Sequence, residues 1–282
     1  MIIAVFLGGL ILLFLLGFGA PYAIGLVSLL VLIMTRGIGN IPLDMMATKL
    51  AFAANNFTLL AIPFFLLAGK LMNTGSITTR IFRFCNTLIG WIPGGLGHAN
   101  VLASIVFAGM SGSAVADAAG LGTIEIRAME NEGFDTDFAA AITAASSTIG
   151  PIIPPSIPLI VFGVSAGNVS IAKLLIGGIL PGVLVGITLS VMVYYFAVKR
   201  HYPKSKFPTG KRIWEDFKKA FFPLLTPVIL IGGILSGVFT PTEGAAVASL
   251  YAFILTMFVY RETTWKDFLL ILRDTAKETA SI

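Results

Sequence analysis

The chain has 282 residues, of which 56% are hydrophobic and only 12% are charged, and its mean hydropathy is +0.93. Soluble domains carry about 25% charged residues, so this composition excludes a soluble globular protein and predicts a polytopic membrane protein. The net charge of +5 does not indicate nucleic-acid binding, because the basic excess is concentrated in residues 199–219, with eight Lys or Arg against two acids. Basic loops beside membrane spans mark the cytoplasmic side, and we predict that loop 199–219 is cytoplasmic.

Charge-free apolar runs predict the membrane spans, since a spanning helix needs about 20 apolar residues. The first 35 residues carry no charge, and Gly17 to Pro21 divide them into two helices. Residues 50–69 form the next run, and the run 84–116 is interrupted early, at 91–95. The later predicted spans are 138–172, which prolines break, then 174–198, 220–242 and 244–260; residues 125–137, with five acids, are predicted to be exposed to water, and the tail 261–282 to be amphipathic and interfacial.

The first broken stretch, residues 104–123, contains Ser111, Gly112 and Ser113, followed by Asp117. Glycines loosen a helix here, and non-helical backbone survives at membrane depth only where protein buries it or where it lines a wet cavity. Hydroxyl and freed carbonyl oxygens are hard ligands suited to Na⁺, and a carboxylate within a membrane segment is usually functional. Two alternatives stay open: the small residues could serve only close helix packing, and Asp117 could cap a helix or lie near the water edge.

The second broken stretch, residues 146–165, has four prolines within eight residues, at 151, 154, 155 and 158. Each proline removes a backbone donor and clashes with the preceding helical turn, so one continuous helix is excluded. Broken helices near the membrane midplane offer carbonyls and helix ends to ions and anionic substrates. The alternative is a proline kink in which Ser147 and Thr148 bond back to their own helix. The residues predicted to bind an ion or to line a substrate pathway here are Ser147, Thr148, Gly150, Pro151, Pro154, Pro155 and Ser156.

A third motif, Thr240-Pro241-Thr242-Glu243, predicts a helix start rather than a catalytic glutamate. Thr240 suits the N-cap, Pro241 the first helical position, and Glu243 the third, where its side chain can close a capping box. The sequence holds no P-loop and no nucleophile elbow. We therefore predict no enzymatic activity, no transition-metal site, and energy drawn from an ion gradient or another chain.

Four segments carry a resemblance to a known family: AIPFFLLAG at 61–69, FAGMSGSAVADAAGLG at 107–122, IGPIIPPS at 149–156 and FTPTEGAA at 239–246. In these segments the chain resembles the large, DctM-type membrane subunit of the tripartite ATP-independent periplasmic (TRAP) transporters. The resemblance implies an all-α elevator-type transporter of the ion-transporter superfamily, built from inverted repeats with re-entrant hairpins and broken helices, in the bacterial inner membrane. It also implies a small four-helix membrane subunit and a periplasmic substrate-binding protein as partners, with the lipid bilayer as surroundings.

Carried onto this sequence, the resemblance implies a hairpin at 98–124 with its tip at Ser111–Ser113, facing a broken helix at 138–166. Both would supply ligands to Na⁺ as the coupling ion: Ser111, Gly112, Ser113, Gly150, Pro151 and Pro154. The pathway of an organic acid, a C4-dicarboxylate or similar, would include Ser147, Thr148, Pro155, Ser156 and Asp117. A faint repeat relates residues 17–21 to 237–241 and predicts a first repeat at 1–220 and a second at 221–282, which would be truncated.

Two alternatives to a permease that depends on a binding protein remain open at this stage. One is a dicarboxylate carrier of the same superfamily that works without a binding protein. The other is a structural or nonfunctional membrane fragment. The sequence does not identify the acid.

Overall fold

The computed structural model describes residues 2–73, 76–167 and 169–281, and at residues 50 and 52–54 it describes the backbone alone. Within these ranges all regular structure is helical, which confirms the predicted all-α class. The chain divides into two compact units, residues 1–55 and 56–282.

The first unit holds three α-helices within its described residues: α1 (Ile2–Leu15), α2 (Ala20–Arg36) and α3 (Leu43–Ala54). Helices α1 and α2 pack on each other, and Gly9 of α1 lies against Val27 of α2. The predicted division of the first apolar run is confirmed, because Gly17 adopts a positive φ of 82° between the two helices.

The second unit contains the remaining helices and a buried hydrophobic core. Helix α6 is buried on nearly every side and packs on α4, α5, α9, α11 and α12. A helix that is apolar all round belongs in a core, and α6 occupies that position. The bounds are α4 (Ala61–Met72), α5 (Ser76–Ile89), α6 (Gly95–Ser111), α7 (Ala114–Ala119), α8 (Leu121–Asn131), α9 (Thr136–Ser147), α10 (Ile157–Ala166), α11 (Ile171–Arg200), α12 (Gly210–Leu235), α13 (Pro241–Ile254) and α14 (Trp265–Ser281), with a 3₁₀ turn at Phe57–Leu60 and a π-helical turn at Leu255–Val259.

Three helices among the described residues are long and apolar enough to cross a membrane: α11, α12, and α13 with its π-helical extension. A fourth span results if the bent pair Phe57–Met72 and Ser76–Ile89 is counted as one. The predicted loop 199–219 is too long, because α11 continues to Arg200 and α12 already begins at Gly210. Lys and Arg are good helix formers, so the basic residues on both sides of the connector 201–209 extend the helices instead of ending them.

Two contacts bring several helix ends to the connector 201–209. The Ser205 N–H donates to the Gly90 carbonyl at 2.9 Å, beside the start of α6. At the start of α9, the Asp135 carboxylate accepts from Arg200 Nη1 at 2.6 Å and from the Tyr202 hydroxyl at 2.7 Å. The hydrogen bonds from Tyr202 and Arg200 hold the pKa of the Asp135 carboxyl below its usual range.

These contacts give α6, α7 and α8 the path of a re-entrant hairpin. The chain leaves the connector end along α6, reverses at Gly112, and returns through α8 to Asp135 at the same end. From there α9 runs inward for 12 residues, or about 18 Å at 1.5 Å per residue. With Asp135 at a membrane surface, a break at that distance would fall within a hydrocarbon core about 30 Å thick.

Candidate ion-binding site

The hairpin tip, Ser111–Ser113, is the reversal between α6 and α7, and two residues, Gly112 and Ser113, link the helices. Gly112 ends α6 in the left-handed region, with φ +60°, and its N–H donates to the Ala108 carbonyl at 3.3 Å. Ser113 is extended and caps α7, because its Oγ accepts from the Ala116 N–H at 3.3 Å. The last carbonyls of a helix have no partner within that helix, so α6 directs its carboxyl end at this tip.

The break between α9 and α10 covers residues 148–156. Its turn is closed by N–H groups of Ile152 and Ile153, which both donate to the Ile149 carbonyl at 3.0 Å. Ser156 then starts α10: its Oγ accepts from the Leu159 N–H at 3.2 Å and donates to the Pro151 carbonyl. The prolines therefore end one helix and allow a second, separately capped helix to begin.

The hairpin tip and the break are in direct contact. A Cβ atom built on Gly112 would lie 2.0 Å from the Pro155 carbonyl oxygen. A Cβ atom built on Gly150 would lie 3.2 Å from the Ser113 carbonyl carbon and 3.3 Å from the Ala114 nitrogen. Because the two glycines have no side chains, the backbones of the tip and the break contact each other directly. The two broken stretches identified from the sequence therefore lie side by side in the fold.

Glycines on neighbouring helices admit this arrangement. A Cβ on Gly69 of α4 would lie 3.0 Å from Ser111 Cα, and one on Gly178 of α11 would lie 2.2 Å from the Ile152 carbonyl oxygen. Helices α4 and α11 therefore approach the tip and the break, respectively, at main-chain distance.

Two of the predicted pathway hydroxyls bond to their own helix. Ser147 Oγ donates to the Thr143 carbonyl at 2.8 Å, and Thr148 Oγ1 donates to the Ala145 carbonyl at 2.6 Å. This is the back-bonding alternative left open by the sequence. Ser147 is buried and Thr148 is exposed, while Pro154, Pro155 and Ser156 are buried. Their places in a substrate pathway stay predictions.

Asp117 is buried in α7, with 1% of its surface exposed. The capping alternative is wrong, because Ser113 supplies the cap of α7 and no side chain caps α8. The alternative that Asp117 lies near the water edge stays a prediction. Neither carboxylate oxygen of Asp117 has a hydrogen-bond partner among the described residues. A role in the substrate pathway remains a prediction.

At the start of α13, Thr240 and Glu243 form the predicted capping box. The Glu243 N–H donates to Thr240 Oγ1 at 3.3 Å, and the Thr240 N–H donates to Glu243 Oε2 at 2.8 Å, with Pro241 in the first turn. The motif therefore starts a helix, and its glutamate is occupied by that structural role.

Comparison with known proteins decides the family. The model of the family described as "Tripartite ATP-independent periplasmic transporter, DctM component" matches residues 7–282. The chain belongs to this DctM family. Its members are transporter permeases and not enzymes, and they lie in the bacterial inner membrane.

Individual DctM relatives agree with the family match. The chain is 47% identical over 266 residues, 94% of its length, to the sialic acid TRAP transporter large permease protein SiaM of Vibrio cholerae. It is 52% identical over 218 residues, 77% of its length, to the sialic acid TRAP transporter permease protein SiaT of Haemophilus influenzae, and 43% identical over 209 residues, 74% of its length, to the C4-dicarboxylate TRAP transporter large permease protein DctM of Vibrio cholerae. The chain spans 61%, 35% and 46% of these relatives, respectively.

Sequence reasoning missed Glu125 of this DctM chain. It belongs to the acidic segment predicted to be exposed, yet it is 1% exposed, whereas Glu130 and Glu132 are exposed as predicted. Leu121, Glu125 and Met129 share the buried face of α8 at a spacing of four residues. That helical period, read across the acidic segment, could have indicated its burial.

Proposed function

We propose that this DctM chain forms part of a Na⁺-coupled permease that imports an organic acid. A periplasmic binding protein delivers the acid, and a small four-helix membrane subunit accompanies the permease. The observation that carries the proposal is the contact between the hairpin tip and the break, where Gly112 meets the Pro155 carbonyl.

Helix polarity supports a cation at this place. Helix α6 ends at Ser111 and α9 ends at Ser147, so two carboxyl termini lie at the tip and the break. Each carboxyl terminus carries about half a negative charge from the helix dipole. Partial negative charge and main-chain oxygens at membrane depth are the features by which broken helices of transporters hold Na⁺.

The same place suits a carboxylate once the cation is bound. Helix α10 begins at Ile157, directly after the break, with Ser156 as its N-cap, and its amino terminus carries partial positive charge. Residues 111–113 and 147–156 contain no acidic or basic side chain. A bound Na⁺ would therefore place a full positive charge where these two segments supply none, which gives a physical reason for the ion and the acid to bind together.

The relatives point to organic acids as the substrate class. Their names specify sialic acid, C4-dicarboxylates and 2,3-diketo-L-gulonate, all of which carry a carboxylate. The amino terminus of α10 can recognise that shared group, and the position of the remaining substrate atoms would distinguish one acid from another.

Substitution of Ser113 tests the proposal. In proteoliposomes that contain the permease, its small subunit and the binding protein, Ser113→Ala should raise the Na⁺ concentration for half-maximal uptake about tenfold. Losing one oxygen ligand of the cation is comparable to losing a hydrogen bond to a charged group, about 1.5–3 kcal/mol. Ser113→Thr keeps the hydroxyl and the cap and should restore most of the Na⁺ dependence.

Thr188→Ala is the matched control, because it removes an exposed hydroxyl of α11, outside both stretches, that bonds to its own helix. It should leave the Na⁺ dependence unchanged. Uptake that needs no Na⁺ gradient in the wild-type protein would contradict the coupling, and an unchanged half-maximal concentration in Ser113→Ala would remove Ser113 from the site.

A further inference from the structure

A buried polar network lies between the hairpin and the first half of the broken helix. Asn100 of α6 is at its centre and is fully buried. Its amide nitrogen donates to Glu125 Oε2 at 2.7 Å and to Thr143 Oγ1 at 2.7 Å, while its oxygen accepts from Ser146 Oγ at 2.6 Å. Every hydrogen-bonding atom of the amide is therefore used, and the Glu125 carboxylate is fixed in one orientation.

Three carboxylate oxygens at this network have no partner among the described residues: Glu125 Oε1 and both oxygens of Asp117. Both side chains are 1% exposed. They are close enough to interact electrostatically. The hydroxyls of Ser104 and Ser147 lie near Asp117, but the first donates to Ser146 Oγ at 3.1 Å and the second to the Thr143 carbonyl at 2.8 Å.

The structure offers these carboxylates no fixed positive charge. The ion pairs of the described residues involve Asp135, Asp216 and Glu278, and neither Asp117 nor Glu125 takes part in one. Burying a carboxylate without a counter-charge is strongly unfavourable. A mobile positive charge, a cation or a proton, must therefore balance the pair, and the carboxylate oxygens without a hydrogen-bond partner are available to bind it.

We propose that Na⁺ binds between the Glu125 and Asp117 carboxylates, at a second cation site distinct from the hairpin tip. Asn100 is a positioning residue: it holds Glu125 Oε2 and leaves Oε1 directed at the cation. This site uses side-chain carboxylates, whereas the tip and the break offer main-chain oxygens. The inference deepens the proposed function and rests on it only for coupling to transport, because binding of the ion itself needs neither substrate nor partner.

The test measures Na⁺ alone on the purified chain in detergent, at constant ionic strength with choline replacing Na⁺. Two readouts are used: equilibrium binding of ²²Na⁺ and the Na⁺-dependent rise of the thermal unfolding midpoint. Glu125→Gln keeps the shape of the side chain and the bond from Asn100 but removes the charge. We expect it to lose one bound Na⁺ per chain, or to raise the half-saturating Na⁺ concentration of that site at least tenfold.

Glu130→Gln is the matched control, because Glu130 is an exposed acid on the same helix; it should bind Na⁺ as the wild type does. Asp117→Asn should reproduce the loss, and it replaces Glu125→Gln as the decisive variant if the latter does not fold. Ser113→Ala should leave this bound ion in place, so failure of the tip site and failure of this site are distinguishable. Unchanged ²²Na⁺ binding in both carboxyl variants would overturn the proposal and leave a bound proton as the balancing charge.

Discussion

Gly112 shows how one residue positions the candidate site. Its φ of +60° reverses the chain after α6, and its missing side chain leaves room for the Pro155 carbonyl oxygen. Residues other than glycine enter the left-handed region at a cost of roughly 1–2 kcal/mol. At this position a side chain would also collide with main chain that has no alternative rotamer.

Gly112→Ala should therefore lower the unfolding free energy by more than the backbone strain alone would. We expect a loss of about 1–2 kcal/mol in unfolding free energy from the left-handed conformation and a further 1–3 kcal/mol from overpacking against Pro155. Thermal unfolding in detergent, with and without Na⁺, measures both the loss and any weakened response to the ion.

Gly133→Ala provides the control for this comparison. Gly133 has φ +90° and no atom within 4 Å of a built Cβ, so its substitution carries the strain without the collision. Equal destabilisation by Gly112→Ala and Gly133→Ala would mean that the tip and the break are not in close contact.

At the scale of elements, α11 presents a glycine face to the candidate site. Gly178, Gly182 and Gly186 recur every fourth residue, and Cβ atoms built on them would lie 2.2 Å from the Ile152 oxygen, 2.3 Å from Ile153 Cγ1 and 2.6 Å from Ile105 Cδ1. Small residues at this spacing let membrane helices approach closely. Helix α11 thereby supports the break and the hairpin with a single face.

Gly178→Ala should push the break away from α11. The clash is with a carbonyl oxygen, so overpacking of about 1–3 kcal/mol outweighs the gain of up to about 1 kcal/mol in helix propensity. We expect a lower unfolding midpoint and weaker Na⁺ binding.

Gly177→Ala, one residue earlier, has open space around its built Cβ and should be neutral or slightly stabilising. If the two variants behaved alike in ²²Na⁺ binding, α11 would have no part in holding the break.

The breaks could be predicted from sequence because their causes are local. Gly112 and the four prolines constrain the main chain whatever surrounds them. The capping box at Thr240 and Glu243 is local as well, and it too is present. Contact between Gly112 and Pro155 depends on how α6 packs beside α9, which no local pattern encodes. The family resemblance implied that the tip faces the break, and the structure adds the atoms that meet.

The burial of Glu125, in contrast, was not predicted from the sequence. Its neighbours in sequence are acidic, and composition alone predicted that the segment is wet. The carboxylate is buried because α8 packs on α9 and Asn100 supplies a donor from α6. The composition of a segment describes all faces of its helix together, whereas burial depends on which face packs against neighbouring helices.

For the whole molecule, the orientation of the second unit can be tested. Helix α12 has 26 residues, about 39 Å at 1.5 Å per residue, and is long and apolar enough to cross a membrane, so we expect its ends on opposite membrane faces. The basic connector 201–209 is predicted to be cytoplasmic, which puts the turn before α13 on the periplasmic side.

Single cysteines should report this orientation in cells, in a Cys85→Ser background. Lys206→Cys should react with a membrane-impermeant thiol reagent only after permeabilisation, whereas Val238→Cys, 69% exposed in the wild type, should react in intact spheroplasts. The two sites control for each other, and the reverse pattern would invert the assigned topology. The proposed boundary of the repeats near residue 220 lies inside α12 and stays a prediction.

The connector 201–209 holds more than two helices together. The Ser205 N–H bonds to the Gly90 carbonyl just before the hairpin begins. Tyr202 and the neighbouring Arg200 bond to the Asp135 carboxylate just before the broken helix begins. This short polar segment thus contacts both the hairpin and the broken helix, whose other ends meet at the candidate ion site. A displacement of this segment, by a ligand or by a neighbouring subunit, would therefore be transmitted to the hairpin and to the broken helix together.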